Sequence, residues 1–142
     1  MKSSSNKTIT NRTMPACTII PVLVYTDVNK AIAWLCENFG FKERWRAGNH
    51  RAQLMFDQGA IVVKDCSDTH SKSSIIVRVS SVDSHYLIAK QHGVQMLQPL
   101  TDYPYGERQY TAVDIGGHEW TFTQSIADVP PEDWGGTSAS AE

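Results

Sequence analysis

The sequence predicts an α+β chain of two βαβββ modules, whose strands together form a half-open, eight-stranded, barrel-like sheet around a central cavity. Three observations carry this expectation. A β-branched run, Cys17–Thr26 (CTIIPVLVYT), leads into a helical pattern and then three short strand patterns. The same order of patterns restarts at Ser74. The recurrence also holds a spacing: LVYTDV at 23–28 aligns with VRVSSV at 77–82, an offset of 54, and the glycines before the last strand of each half, Gly59 and Gly117, lie 58 apart. A repeat of this kind fixes the fold more firmly than single-element assignment, since each unit is one supersecondary block.

In the first module, Asp27 follows the opening strand as a helix N-cap. Val28–Phe39 then places Ile32, Leu35, Cys36 and Phe39 at i, i+3, i+4 and i+7, and Gly40 stops the helix. Strands are predicted at Phe41–Arg46, Ala52–Phe56 and Ala60–Lys64, with turns at Gly48-Asn49 and Gln58-Gly59. In the second module, Ser74–Val79 is a strand and Asp83–His92 a helix with Tyr86, Leu87 and Ala89 inward and Gly93 as its stop. Strands follow at Val94–Leu97, Arg108–Val113 and Glu119–Thr123. The modules span about 17–66 and 73–125 of a folded region at 17–136. The polar segment 1–16 is expected to be disordered and the small-residue end 137–142 to be a flexible tail, because neither has enough apolar area to offset its ordering entropy.

Composition narrows the function. The 142 residues are 41% hydrophobic and 20% charged with a net charge of −2, proportions that suit one globular domain. A chain of about 150 residues buries roughly 68–70% of its unfolded surface, so no metal or disulfide staple is required. There is no basic run to follow a phosphate backbone, so no nucleic-acid partner is expected, and no stretch of about 18 apolar residues to cross a membrane. Cys17, Cys36 and Cys66, an odd number at unrelated spacings, read as reduced thiols, and with no apolar leader segment a cytoplasmic location is expected. No G-x-S-x-G, P-loop or G-x-G-x-x-G occurs.

PVLVYTDVNKAIAWLCENFGF at 21–41 and PYGERQYTAVDIGGHEWTF at 104–122 resemble the vicinal oxygen chelate superfamily, which includes glyoxalase I, bleomycin-resistance proteins and extradiol dioxygenases. ADVPPEDWGG at 127–136 resembles the tail of one glyoxalase-like branch. The resemblance covers about 17–136 as a single glyoxalase-like domain. It implies paired modules, often assembled as a homodimer, around a pocket that in many members holds one divalent metal. The positions it assigns to metal ligands are here Ile20, about Val63, Ser74 and about Thr121. Ile and Val have no lone pair to offer, whereas a catalytic zinc takes about three His, carboxylate or Cys ligands. Neither a metal nor another cofactor is therefore expected. The five histidines read as surface or turn residues, and Asp65–His70 as a loop with possible ligands but no fixed geometry.

Other residues can serve a cavity. Period-2 alternation puts Glu119 on one face with Thr121 and Thr123, and Trp120 and Phe122 on the other. Glu119 is then either a pocket carboxylate, acting as general base or counter-ion, or a solvated rim residue. Tyr103, Tyr105 and Arg108 lie on a turned segment that either stacks an aromatic ligand and meets an anion or forms a surface pair and cover. Trp45 and Phe56 lie on strands that either face the cavity or pack in the core; Trp134 pins the tail. The expected function is small-molecule binding, of an aromatic or amphipathic ligand in a metal-free cavity, including antibiotic sequestration. The alternative is a metal-independent lyase or isomerase using Glu119 and Arg108.

Overall fold

The computed structural model describes residues 9–66 and 72–139. In the first module β1 (Val22–Tyr25) and α1 (Val28–Phe39) precede β2 (Lys42–Ala47), β3 (Arg51–Phe56) and β4 (Gly59–Asp65). The second module repeats the order with β5 (Ser74–Arg78), α2 (Val82–Gln91), β6 (Gln95–Tyr103), β7 (Glu107–Val113) and β8 (Glu119–Ser125). Sheet 1 runs β1-β4-β3-β2 and sheet 2 runs β5-β8-β7-β6, with β1–β4 and β5–β8 parallel and the other pairs antiparallel.

Local chemistry sets the boundaries. Asp27 Oδ1 accepts from Lys30 N at 3.0 Å and starts α1, and Gly40 at φ 90° ends it. Ser81 caps α2 one residue earlier than the pattern predicts. The inward stripe is Val82 and Ala89, both buried, with half-buried His85 and Tyr86, and Leu87 is 55% exposed, correcting its inward assignment. Strand β6 continues to Tyr103, well past Leu97. It lies at the sheet edge, and its register shifts between Gln98 and Thr101, so Pro99 needs no ladder N–H. Gly106 closes the β6–β7 hairpin at φ 86°; a Cβ there would lie 2.5 Å from Ala127 O, so no larger residue fits.

The eight strands form two four-stranded mixed sheets, one per module, and the arrangement is not closed. Among the described residues no ladder joins β1 to β5. The reason is local: the Val24 carbonyl, which would have to join such a ladder, already accepts from His118 Nε2 at 2.8 Å. The modules are joined instead through side chains. One apolar core runs through both, with Phe39 at its centre, 4.8 Å from the Phe122 ring, 5.8 Å from Trp120 and 5.0 Å from Trp34.

A polar clamp closes the join. Asp114, 6% exposed, accepts at Oδ2 from Tyr25 Oη (2.6 Å) and Trp120 Nε1 (2.9 Å), and at Oδ1 from Gly116 N and His118 N. His118 Nδ1 accepts from Ser73 N, so Nε2 carries the proton toward Val24 O. Burial, then the Asp114 charge and hydrogen bond, raise the Tyr25 phenol far above its ordinary value. His118, at the turn expected for it, is buried (1% exposed), and His85 is half-buried and not at the surface, because both lie where the modules press together. His70 and Asp68 lie outside the described residues.

Segment 9–16, expected to be loose, lies against sheet 1. Pro15 is buried, and Thr13 O accepts from Trp45 Nε1 (2.9 Å) and Gln53 Nε2 (3.1 Å). At the other end Trp134, in a 3-10 turn at Pro131–Trp134, meets the Tyr105 ring edge-on at 5.5 Å.

Asp114→Ala leaves four donors without their acceptor, and a loss of about 3–5 kcal/mol in urea unfolding is expected; Tyr25→Phe removes one charged hydrogen bond and costs about 1–3 kcal/mol. Burial lowers the His85 pKa against a hydrogen bond to Phe39 O that raises it. Since the unfolded chain then binds the proton more readily, stability is full above about pH 6.5 and falls as pH drops through the lower folded value. His85→Gln should flatten that acid slope.

Candidate functional site

Each sheet has one face covered by helices and one open. On sheet 1 the covered side carries Leu23, Tyr25, Ala52, Leu54, Ile61 and Val63, all buried. Its other side carries Val22, Val24, Ala60, Val62, Gln53 and Trp45, of which Ala60, Val62 and Gln53 are buried, Gln53 beneath Thr13 of the N-terminal segment. On sheet 2, Tyr110, Ala112, Trp120 and Phe122 are covered, while Ser74, Ile76, Glu107, Gln109, Thr111, Thr121 and Thr123 face outward.

The open face of sheet 2 is a connected polar ladder. Thr111 Oγ1 and Thr121 Oγ1 are 2.8 Å apart, Gln109 Nε2 donates to Thr123 Oγ1 at 3.2 Å, and the Thr123 and Ser125 hydroxyls donate to Glu107. Burial alone raises the Glu107 pKa, but those hydroxyls and the charge of Arg78 leave it below the usual carboxylate range. An aromatic pair flanks the ladder: Tyr103 and Tyr105 stack at 5.3 Å with 8° between planes, and Tyr105 Oη donates to Gln109 Oε1 at 3.1 Å. Between the sheets runs an apolar groove of about 410 Å³, lined by Ile19, Pro21, Phe56, Ile76, Arg78 and Trp120. Ile76 is 68% exposed there.

The seven residues expected to line one cavity are divided. Tyr103, Tyr105, Thr121 and Glu119 share the open face of sheet 2, with Glu119 exposed at the start of β8. Phe56 reaches the end of the groove from the covered side, against Phe41 at 5.3 Å. Trp45 lies on the open face of sheet 1. Arg108 shares the parity of Tyr110 and points to the helix side, bonding Asp102 at 2.6 Å and Asp83 of α2 at 3.2 Å. Its hydrogen bond holds the Asp102 carboxyl below the ordinary range. Arg108 pairs with Gln124, five residues along β8 from Glu119, so roughly 16 Å and the thickness of the sheet separate the two. The structure does not bring the Glu119–Arg108 pair together.

Glu107, Gln109 and Thr111 were not expected at the site. Alternating polar residues along Glu107–Val113 were the available signal, since a half-buried strand with both faces apolar would not show them.

The register also moves one metal position. Val63 is in the core, and the open-face residue of β4 beside Val22 is Val62. The four positions are then Ile20, Val62, Ser74 and Thr121: two hydrocarbons and two neutral hydroxyls, which do not fit a divalent ion. Among the described residues no three His, Cys, Asp or Glu side chains group together to hold one elsewhere.

The model of the glyoxalase/bleomycin resistance protein/dioxygenase superfamily matches residues 17–122. The chain belongs to this superfamily. TioX from Micromonospora sp. ML1 is 33% identical over 78% of this chain and 100% of its own, with a TM-score of 0.71. The bleomycin-binding protein of Streptomyces verticillus, solved with copper(II)-bleomycin, is 16% identical over 79% of this chain and 98% of its own (TM-score 0.64). The fosfomycin resistance protein FosX of Listeria monocytogenes is 20% identical over 79% and 95% (TM-score 0.65). These last two share the fold. No curated protein matches the chain. Among the described residues no helix is long and apolar enough to cross a membrane.

Dialysis after incubation with nickel, zinc, manganese or iron(II) should leave less than about a tenth of an equivalent of metal per chain, given the donor set. Near one equivalent by elemental analysis would contradict the assignment.

Proposed function

We propose that this protein binds a small aromatic or amphipathic molecule, without metal and without altering it, on the open face of sheet 2 and in the adjoining groove. The observation that carries the reading is the stacked Tyr103–Tyr105 pair beside neutral hydrogen-bonding groups and exposed Ile76. Aromatic rings offer a flat apolar surface, and Gln109, Thr111 and Thr121 offer donors and acceptors that fix orientation, the usual composition of a small-molecule site. The fold has already been seen holding a drug, in the bleomycin-binding protein, and sequestration of an antibiotic is the biological role we favour. Catalysis through Glu119 and Arg108 lacks support, since the two groups lie on opposite faces of sheet 2.

The working form is proposed to be a homodimer in which sheet 1 of one copy faces sheet 2 of the other. Charge supports this: the open side of sheet 1 carries Lys42, Arg51 and Lys64 and no carboxylate, whereas sheet 2 presents Glu107 and Glu119 against Arg78. The free thiols Cys17, Cys36 and Cys66 fit a reducing compartment, so the cytoplasm is the proposed location.

The test is titration with a panel of planar drugs, copper(II)-bleomycin included, followed by tryptophan emission. Saturable quenching is expected. Trp134→Phe should reduce it, because Trp134 abuts Tyr105. Tyr105→Ala should weaken binding about tenfold, or about 1.4 kcal/mol, while Glu119→Gln changes affinity less than about twofold. A panel without one saturable member would sink the proposal.

A further inference from the structure

A second cleft lies on the other sheet, between the N-terminal segment and β2. It encloses about 540 Å³ and is lined by Arg12, Thr13, Arg44 and Trp45. Its walls are held in place. The Asn11 side chain accepts from Thr13 N at 3.1 Å, and Asn11 O accepts from Met14 N at 3.0 Å, which turns the segment over β3. The Thr13 carbonyl then takes the Trp45 indole N–H and the Gln53 amide. Gln53 is 0% exposed and has both ends occupied, since its Oε1 accepts from Arg44 Nη1. The Arg44 guanidinium is thereby anchored through one N–H and has its remaining donors to offer. Arg44 shares the parity of Lys42, and the bulge between Glu43 and Trp45 brings Trp45 to the same side.

The charge in this cleft is unbalanced. Among the described residues neither Arg12 nor Arg44 meets a carboxylate, and Lys42 and Arg51 stand on either side along the open face. The acidic neighbour of Arg44 in sequence, Glu43, is on the covered side with Arg46, and Asp65, at the end of β4, is bonded to His50. Trp45 is half-buried, and with its N–H committed to Thr13 it has only its ring to present.

We propose that this cleft is an anion site for a flat aromatic acid, such as an aryl carboxylate: Arg12 and Arg44 hold the charged group and the Trp45 indole receives the ring. Planar guanidinium groups match carboxylate oxygens in pairs and also stack on aromatic rings. Two open guanidinium groups beside a fixed indole favour an aromatic acid over a simple inorganic anion, which would leave the ring unused. The site uses no residue of the sheet 2 face, and it stands whether or not that face binds a ligand. Arg12 and Thr13 of segment 9–16 form part of the binding wall.

The experiment uses the full chain with 2-naphthoate and, as the uncharged counterpart, 2-naphthalenemethanol. Binding is read from the indole N–H signals in a nitrogen-edited NMR spectrum, with Trp45 assigned by Trp45→Phe. Naphthoate should shift the Trp45 signal saturably, at least about tenfold more tightly than the alcohol, with an affinity that falls as salt rises. Arg12→Gln combined with Arg44→Gln should bring naphthoate down to the level of the alcohol, while Lys90→Gln, on α2, changes nothing. The double variant's melting temperature is checked alongside; should it unfold, Arg12→Gln alone must still reduce the naphthoate preference at least about threefold. Equal affinity for acid and alcohol, or a naphthoate shift confined to Trp134, would overturn the anion site. The Trp134 outcome would leave the binding face of sheet 2 intact, and failure of the drug panel would leave the anion site intact.

Discussion

Everything in this molecule depends on one buried carboxylate. Asp114 stands at the end of β7, yet its Oδ2 holds Tyr25 from β1 and Trp120 from β8 at once, while Oδ1 fixes the turn that delivers His118. A carboxylate can be buried only where donors replace its water, and here four of them do. Because the donors come from both modules, the relative placement of the modules is set by the geometry of a single side chain. The shared apolar core around Phe39 supplies the bulk of the attraction, but apolar packing has no direction. The clamp supplies the direction.

That placement has a consequence for chemistry. With β1 engaged by His118 and not by β5, the sheets meet along a groove, and each retains an open face. The two faces then differ in kind. One is hydroxyl- and amide-rich and bordered by tyrosines; the other is apolar at β1 and β4 and cationic toward β2 and β3. A pseudo-symmetric scaffold thus carries two unlike surfaces, and it can do so because outward positions of a strand place almost no demand on the fold.

The same freedom explains the metal positions. Val62, Ser74 and Thr121 sit on strands whose other faces are committed to the core, and Ile20 lies two residues before β1. Changing donors to hydrocarbons at such positions leaves the backbone ladder and the packing untouched. What remains is a family scaffold whose outward faces present neutral hydrogen-bonding groups, aromatic rings and guanidinium groups.

The sequence by itself determined the repeat, the helix caps at Asp27 and Gly40, the alternation that separates Glu119 and Thr121 from Trp120 and Phe122, and the family. All of these follow from interactions within a few residues or from a period along the chain, which a sequence displays directly. Tertiary structure decided the rest. Arg108, on the helix side by the alternation of β7, is held there by Asp83 and Asp102; His118 is buried and His85 half-buried because the modules press on them; Trp45 and Arg44 became the wall of a cleft because residues 11–13 fold back across β3. In each case the deciding partner lies outside the residue's own strand or helix, six residues away for Asp102 and as many as 94 for His118 and Val24. Contacts between elements depend on the twist and closure of whole sheets, and no local pattern encodes them.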